Sequence, residues 1–138
     1  MKVFIVFLAL VMVFSAALIF TSDIAEYVRL QKRLKVLAED CAEAAALCID
    51  QKASESSGSL VIDLSRGRRA AEELCRKAAD SGGFGRNAQI SVKISPYGRL
   101  GVRADLVFTG RDLFRLAFLR LETFSRSAAY EWKQQQGQ

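Results

Sequence analysis

Three cysteines, Cys41, Cys48 and Cys75, are the residues best suited to covalent or metal chemistry, and the chain contains no histidine. Without imidazole, Ser-His-Asp and Cys-His catalysis and mixed Cys/His zinc sites are excluded. The three thiols include no closely spaced pair, so a zinc shell built from them would be incomplete. We therefore expect no enzyme activity, no cofactor and no metal site.

The same cysteines are possible disulfide partners in an oxidising compartment. Cys41 and Cys48 lie seven residues apart, which on one helix means two turns and about 10 Å, too far for a bond. Cys75 would reach one of the two if its own helix packs on theirs. In a reducing compartment all three would be ordinary buried small side chains.

Positive charge near the C-terminus is the second feature that suggests binding. The chain has 138 residues with 20 Lys+Arg and 15 Asp+Glu, and residues 86–138 alone carry nine Lys+Arg against four Asp+Glu. A basic sheet face formed there by Lys93, Arg99 and Arg103 would recruit an anionic ligand or partner. Because aromatic residues do not interleave with these cations, we expect no nucleic acid. We expect no small-molecule substrate either.

The chain begins its first structural element with an uncharged run, Val3 to Phe20, which precedes the cysteines and the basic residues. As a helix it would span roughly 27 Å, close to a bilayer core of about 30 Å. It is either a retained membrane span or a signal peptide cleaved near Ser15-Ala16-Ala17. The apolar run continues past Ala17, which favours retention. We assign residues 1–20 as transmembrane, with a packing side formed by Phe4, Phe7, Leu8, Val11 and Phe14.

Two features of the sequence predict opposite orientations for this span. Only Lys2 precedes it, whereas four cations follow within about 15 residues, which would keep the C-terminal part in the cytoplasm. The signal-like start favours export, and Asp23 and Glu26 are the first charges after the span. We favour export, with the C-terminal head extracytoplasmic.

Residues 21–52 contain no Pro and no Gly, which predicts a helical stalk. Its apolar residues recur at alternating spacings of 3 and 4 and form a seam: Tyr27, Leu30, Leu34, Leu37, Cys41, Ala44 and Cys48. This seam either covers the chain's own globular domain or packs against another copy or partner helix. For Tyr27 to Leu37 we expect the second role, and for the outer half the first.

Residues 53–132 predict a small α+β head, and residues 133–138 a disordered tail. A Ser-rich loop at 52–59 leads into a short strand at Leu60–Asp63 and a second helix at Arg66–Ala79, capped by Asp63 or Ser65. The segment Gly82–Gly85 predicts a turn. Two strands, around residues 90–94 and 100–108, alternate apolar and polar side chains and are joined by a hairpin at 95–99.

The segment Asp112–Trp132 fits either a helix or a short helical turn followed by a strand from about Leu119 to Tyr130. Thr, Ser, Phe and Tyr favour the strand. The predicted fold is therefore α+β, with a long N-terminal helix, a second helix and an antiparallel sheet of three to four strands.

The segment from Ile24 to Ala46 resembles the TadE/TadG-like proteins of tight-adherence pilus systems. Those proteins have an apolar span that runs into an I-I-E-F-x-R-like segment and then an alanine-rich helix; Glu26, Tyr27, Arg29 and residues 42–46 fit this pattern. The Ser-Ala-rich segment Ser125–Ala129 is similar in its order along the chain. Type IV pilin-like members carry a Gly-x4-Glu processing site at the start of the span, and residues 1–19 contain none.

The resemblance implies a pilin-like fold and a structural role, as a minor-pilin-like subunit of a cell-surface filament or secretion apparatus. Partners would be the membrane, further copies of the chain and other pilin-like subunits. The alternative is a membrane-anchored extracytoplasmic binding module that uses the basic sheet face.

Overall fold

The computed structural model, which describes residues 1–85, 88–110 and 123–132, has helices first and strands second. The helices are α1 (Lys2–Ala46), α2 (Gln51–Ser57) and α3 (Leu64–Asp80); the strands are β1 (Gln89–Tyr97), β2 (Gly101–Thr109) and β3 (Thr123–Glu131). The strands form one antiparallel sheet in the order β1-β2-β3. The α+β class, the long first helix and the antiparallel sheet are thus confirmed.

Helix α1 runs through 45 residues without a break, about 68 Å. Neither Pro nor Gly occurs in it, and the hydroxyls of Ser15 and Thr21 donate to carbonyls one turn earlier, at 2.8 and 2.6 Å. Its first 20 residues lie outside the folded head, whereas its residues from Leu30 onward enter the core. Helix α1 therefore consists of an exposed apolar part and a part buried in the head, with no break between them.

The core lies between the sheet and the two longer helices, α1 and α3, which cover the same face. Strand β2 is central and contributes the most deeply buried sheet residues, because it has a neighbour on either side. Fully buried side chains of the core include Leu30, Leu34, Cys41, Val102, Leu106 and Phe108.

Helices α1 and α3 approach closely because small residues line their contact. A Cβ atom on Gly67 would lie 3.1 Å from the Cα, Cβ and carbonyl oxygen of Ala45. One turn further along α3, Ala71 is fully buried, and its carbonyl oxygen lies 3.7 Å from the Sγ of Cys41. A glycine within a helix otherwise costs about 1 kcal/mol relative to alanine, so this glycine is explained by packing.

The predicted Ser-rich loop at 52–59 is wrong, because the chain forms α2 there, and α1 ends at Ala46 rather than near residue 51. Asp50 caps α2 by accepting from the backbone N–H of Ala53 at 3.2 Å. Gly58, at φ +66°, ends the helix in the left-handed conformation. Capping at both ends stabilises a short helix that carries no apolar periodicity.

The predicted strand at Leu60–Asp63 reduces to a single bridge between Ile49 and Ile62. Helix α3 follows at once and is longer than predicted by two residues at the start and one at the end. Its N-cap is Asp63, one of the two predicted caps, whose carboxylate accepts from the N–H groups of Ser65 and Arg66 at 3.0 and 3.1 Å. The turn predicted at Gly82–Gly85 is present.

The predicted hairpin is confirmed, with longer strands and a tighter turn. Strands β1 and β2 pair from Gln89↔Thr109 to Tyr97↔Gly101, which leaves residues 98–100 to make the turn, with Gly98 at φ +62°. Strand β3 pairs along all of β2, so the strand interpretation of residues 123–131 is correct. The rest of the ambiguous segment, 112–122, and the predicted tail, 133–138, lie outside the described residues.

Replacing Gly67 by leucine tests the close α1–α3 contact. We expect Gly67→Leu to lower the free energy of unfolding by about 1–3 kcal/mol, because the new side chain meets the backbone of Ala45 and must displace a helix. Thermal or chemical unfolding of the detergent-solubilised chain measures this. Arg69→Leu, at an exposed position of the same helix, is the matched control and should change stability by no more than about 0.5 kcal/mol. Equal effects of the two substitutions would contradict the packing argument.

Candidate assembly helix, sheet face and thiol pair

The N-terminal part of α1 is apolar on all sides and uncovered. An 18-residue window in it has a mean hydropathy of 3.0 and no residue buried by the rest of the chain. A helix of this kind is long and apolar enough to cross a membrane, a test that a signal sequence also passes. The five side chains of the predicted packing side are all exposed: Phe4, Phe7, Leu8, Val11 and Phe14.

The seam of α1 is covered by the chain's own head. Leu30, Leu34 and Leu37 are 1, 0 and 8% exposed and pack in the same cluster as Leu106 and Phe108. The ring of Tyr27 meets that of Phe124 edge-on, with centroids 5.8 Å apart. The expected packing of Tyr27–Leu37 against another copy is therefore corrected: periodicity identified the buried side, and the sheet occupies it.

Polar contacts fasten the head to α1 near both ends of the buried seam. At the N-terminal end of the seam, the Gln31 amide donates to the Tyr27 hydroxyl at 2.9 Å and accepts from the Arg126 guanidinium of β3. At the other end, the indole N–H of Trp132 donates to the carbonyl of Ala46 at 3.1 Å. The bonds of Arg126 and Trp132 join residues that are 95 and 86 positions apart in sequence. Sequence periodicity therefore could not predict them.

A further side-chain bond holds the turn after α3. Arg33 of α1 donates to the carbonyl of Gly83, and Phe84 of the same turn packs its ring near that of Phe108, with centroids 5.9 Å apart. Arg33, one of the four cations that follow the apolar run within about 15 residues, therefore also fixes a loop of the head.

The sheet face that points away from the helices is neutral rather than basic across the described strands. Its charged residues are two cations, Lys93 and Arg103, and two anions, Asp105 and Glu131. Arg103 Nε donates to Asp105 Oδ1 at 2.9 Å, and Lys93 is the strand partner of Asp105. Arg99 lies apart, in the exposed β1–β2 turn.

Two reasons explain the difference between the basic composition and this neutral face. Five of the nine Lys+Arg in residues 86–138 lie outside the described residues, and Arg126 points to the helix side, where it bonds Gln31. Regional charge counts do not say on which face of a sheet a residue lies. The described strands therefore lend no support to an anion-binding face.

The structure brings Cys75 to Cys41 and not to Cys48. The Sγ atoms of Cys41 and Cys75 lie 3.7 Å apart, as free thiols, in the contact between α1 and α3. Cys48 instead donates to the carbonyl of Ala44 at 3.4 Å, beyond the end of α1. Within the described part of the chain, no three side chains of a type that binds metal gather into a site.

The two neighbouring thiols differ in acidity. A hydrogen bond from the Cys41 thiol lowers the pKa of Cys75 below its ordinary value, because the bond stabilises the Cys75 thiolate. The same contact, together with burial, raises the pKa of Cys41. Cys75 is therefore the member of the pair that ionises first.

The chain matches no protein-family model, no curated protein and no solved structure. The residues themselves are therefore the whole basis for a functional conclusion.

Truncating Leu34 tests whether the seam belongs to the chain's own core. We expect Leu34→Ala to destabilise the protein by about 2–5 kcal/mol, because it opens a cavity under the sheet. Val36→Ala, on the exposed side of α1, should cost far less. Unfolding midpoints of both variants, measured at several protein concentrations in detergent, should not depend on concentration. A concentration-dependent loss specific to Leu34→Ala would indicate a seam between copies.

Proposed function

We propose that this chain is a bitopic structural subunit of a surface filament or related secretion apparatus, with residues 3–20 in the membrane and the head on the extracytoplasmic side. The observation that carries the proposal is the apolar, uncovered N-terminal part of α1. It projects from a head whose own core closes without it, so its apolar surface is free to be covered by lipid or by other subunits.

The energetics of exposure support a membrane or bundle environment for this segment. Burying one large apolar side chain contributes roughly 1.5–3 kcal/mol, and the segment exposes more than ten such side chains. The cost of leaving them in water is on the order of the whole stability of a small domain. Transfer of the helix into lipid, or into a bundle of equivalent helices, removes that cost.

The continuity of α1 supports a subunit rather than a tethered domain. A flexible linker would let the head move independently of its anchor, whereas here the anchor continues as a core helix and Trp132 and Arg126 bond to it or to its side chains. Neighbouring anchors that pack together would therefore also fix the relative positions of their heads.

The resemblance to TadE/TadG-like proteins agrees with this proposal at the junction of span and head. Tyr27 packs on Phe124, and Glu26 forms an exposed ion pair with Arg29 at 3.8 Å. Glu26, Tyr27 and Arg29 thus lie where the apolar part of α1 ends and the head begins, whereas residues 42–46 lie at the other end of α1, where Ala42, Ala45 and Ala46 are buried in the head.

The mature N-terminus tests retention of the span. We expect the membrane fraction of producing cells to contain the chain beginning at Met1, with an intact mass near 15.3 kDa. Protease added to cells with a permeable outer surface and an intact inner membrane should digest the head. A soluble chain beginning near Leu18 would refute the anchor, and a protected head would refute the export.

Photo-crosslinking tests assembly through the predicted packing side. We expect a photoreactive phenylalanine analogue in place of Phe7 to give covalent dimers and larger species in membranes, because this side meets neighbouring helices. The same analogue in place of Val13, exposed on the opposite side of α1, is the matched control and should crosslink mainly to lipid. Absence of dimers at both positions, together with strictly monomeric protein in detergent, would contradict assembly.

A further inference from the structure

The contact between Cys41 and Cys75 has the arrangement of a dithiol ready to be oxidised. The two sulfurs lie 3.7 Å apart, on helices that already pack closely through Gly67, Ala45 and Ala71. A disulfide needs the sulfurs at about 2.05 Å, so closure requires small side-chain rotations. The two residues are 34 positions apart in sequence, and the link would join α1 to α3.

Access to the pair is one-sided. Cys41 is fully buried and Cys75 is 2% exposed. Cys75 lines a groove of about 520 Å³ between α3 and β1, whose other lining residues include Arg68, Arg76 and Ile90. A small disulfide reagent would therefore approach from the groove and meet Cys75 before Cys41. The lowered pKa of Cys75 favours the same order, because the thiolate is the attacking species.

We propose that Cys41 and Cys75 form an intramolecular disulfide in the exported head, made by exchange with a disulfide-donating oxidant. The thiolate of Cys75 attacks one sulfur of the donor disulfide; the donor's first thiolate leaves and takes up a proton. The Cys41 thiol then loses its proton, attacks the Cys75 sulfur of the mixed disulfide and releases the donor's second thiol. In total, two protein thiols are oxidised, and one donor disulfide is reduced to two thiols.

The bond would staple the anchor helix to the head. Cys41 lies on the face of α1 that meets α3, and Cys75 lies on the face of α3 that meets α1. A covalent link there prevents α3 from separating from α1 during local unfolding. Cys48 takes no part, since it lies beyond the end of α1 and its thiol donates to the carbonyl of Ala44. The formation of the bond in cells rests on the proposed export of the head; the capacity of the pair to close does not.

Oxidation of the purified full chain tests that capacity. Cys48→Ala protein in detergent, reduced and then freed of reductant, is treated with oxidised glutathione. We expect the intact mass to fall by about 2 Da, from two lost hydrogens, and proteolysis to yield one peptide pair joined at Cys41 and Cys75. The melting temperature should rise by about 10 °C over the same sample in dithiothreitol. Two remaining free thiols, or a stable glutathione adduct at Cys75, would overturn the proposal.

Single substitutions test the order of attack. Cys41→Ala should trap a glutathione adduct on Cys75, whereas Cys75→Ala should leave Cys41 largely unmodified because the groove does not reach it. The double variant Cys41→Ala/Cys75→Ala is the control and should show no dithiothreitol-dependent change in melting temperature. If a variant fails to fold, the Cys48→Ala measurement still decides the proposal.

Alkylation of free thiols in producing cells before lysis separates the two proposals. If Cys41 and Cys75 resist alkylation in cells because they are joined in a disulfide, the result supports both the disulfide and the export of the head. A pair that closes with glutathione in detergent yet is found reduced in cells overturns disulfide formation in the exported head, and the protease experiment then decides whether the orientation is also wrong. A pair that closes in neither setting overturns the disulfide alone.

Discussion

The uninterrupted course of α1 from its apolar end into the core is the constraint on which the rest of the structure depends. Without Pro or Gly between Lys2 and Ala46, the helix has no hinge, so the residues after its apolar N-terminal part must be buried by whatever folds next along the chain. Strands β2 and β3 and helix α3 do this, so the head is built directly on α1. The position and direction of the head are therefore set by the direction of α1.

Small residues on the second half of α1 decide how closely the other elements approach. The large side chains Leu30 and Leu34 pack in the same cluster as the sheet residues Leu106 and Phe108. The small residues Cys41 and Ala45 instead meet Cys75 and Gly67 of α3 at close range. The two thiols touch because they occupy this close contact as small residues. The close helix packing and the contact between the two thiols thus have the same cause, the small size of these side chains.

Local periodicity predicted the elements that bury a regular face. Alternation in residues 90–94 and 100–108 gave β1 and β2, and the 3-4 spacing of the seam gave the buried side of α1. It did not predict α2, which is stabilised by Asp50 and Gly58 at its ends rather than by an apolar face. It also did not identify what covers the seam, because a stripe of apolar residues looks the same whether a sheet or a second helix lies on it.

Side-chain contacts between distant residues were beyond prediction for a related reason. The pairing of Arg103 with Asp105 neutralises a face that regional charge made basic, and Gln31 bonds Arg126 across 95 positions. Arg103 and Asp105 share a face because alternate residues of β2 point to the same side, whereas Arg126 reaches Gln31 only because β3 pairs with β2 and faces α1. The same register places Trp132 beside Ala46 and so closes the head around the end of α1. A load applied to the apolar segment would consequently pass along one helix into the centre of the sheet.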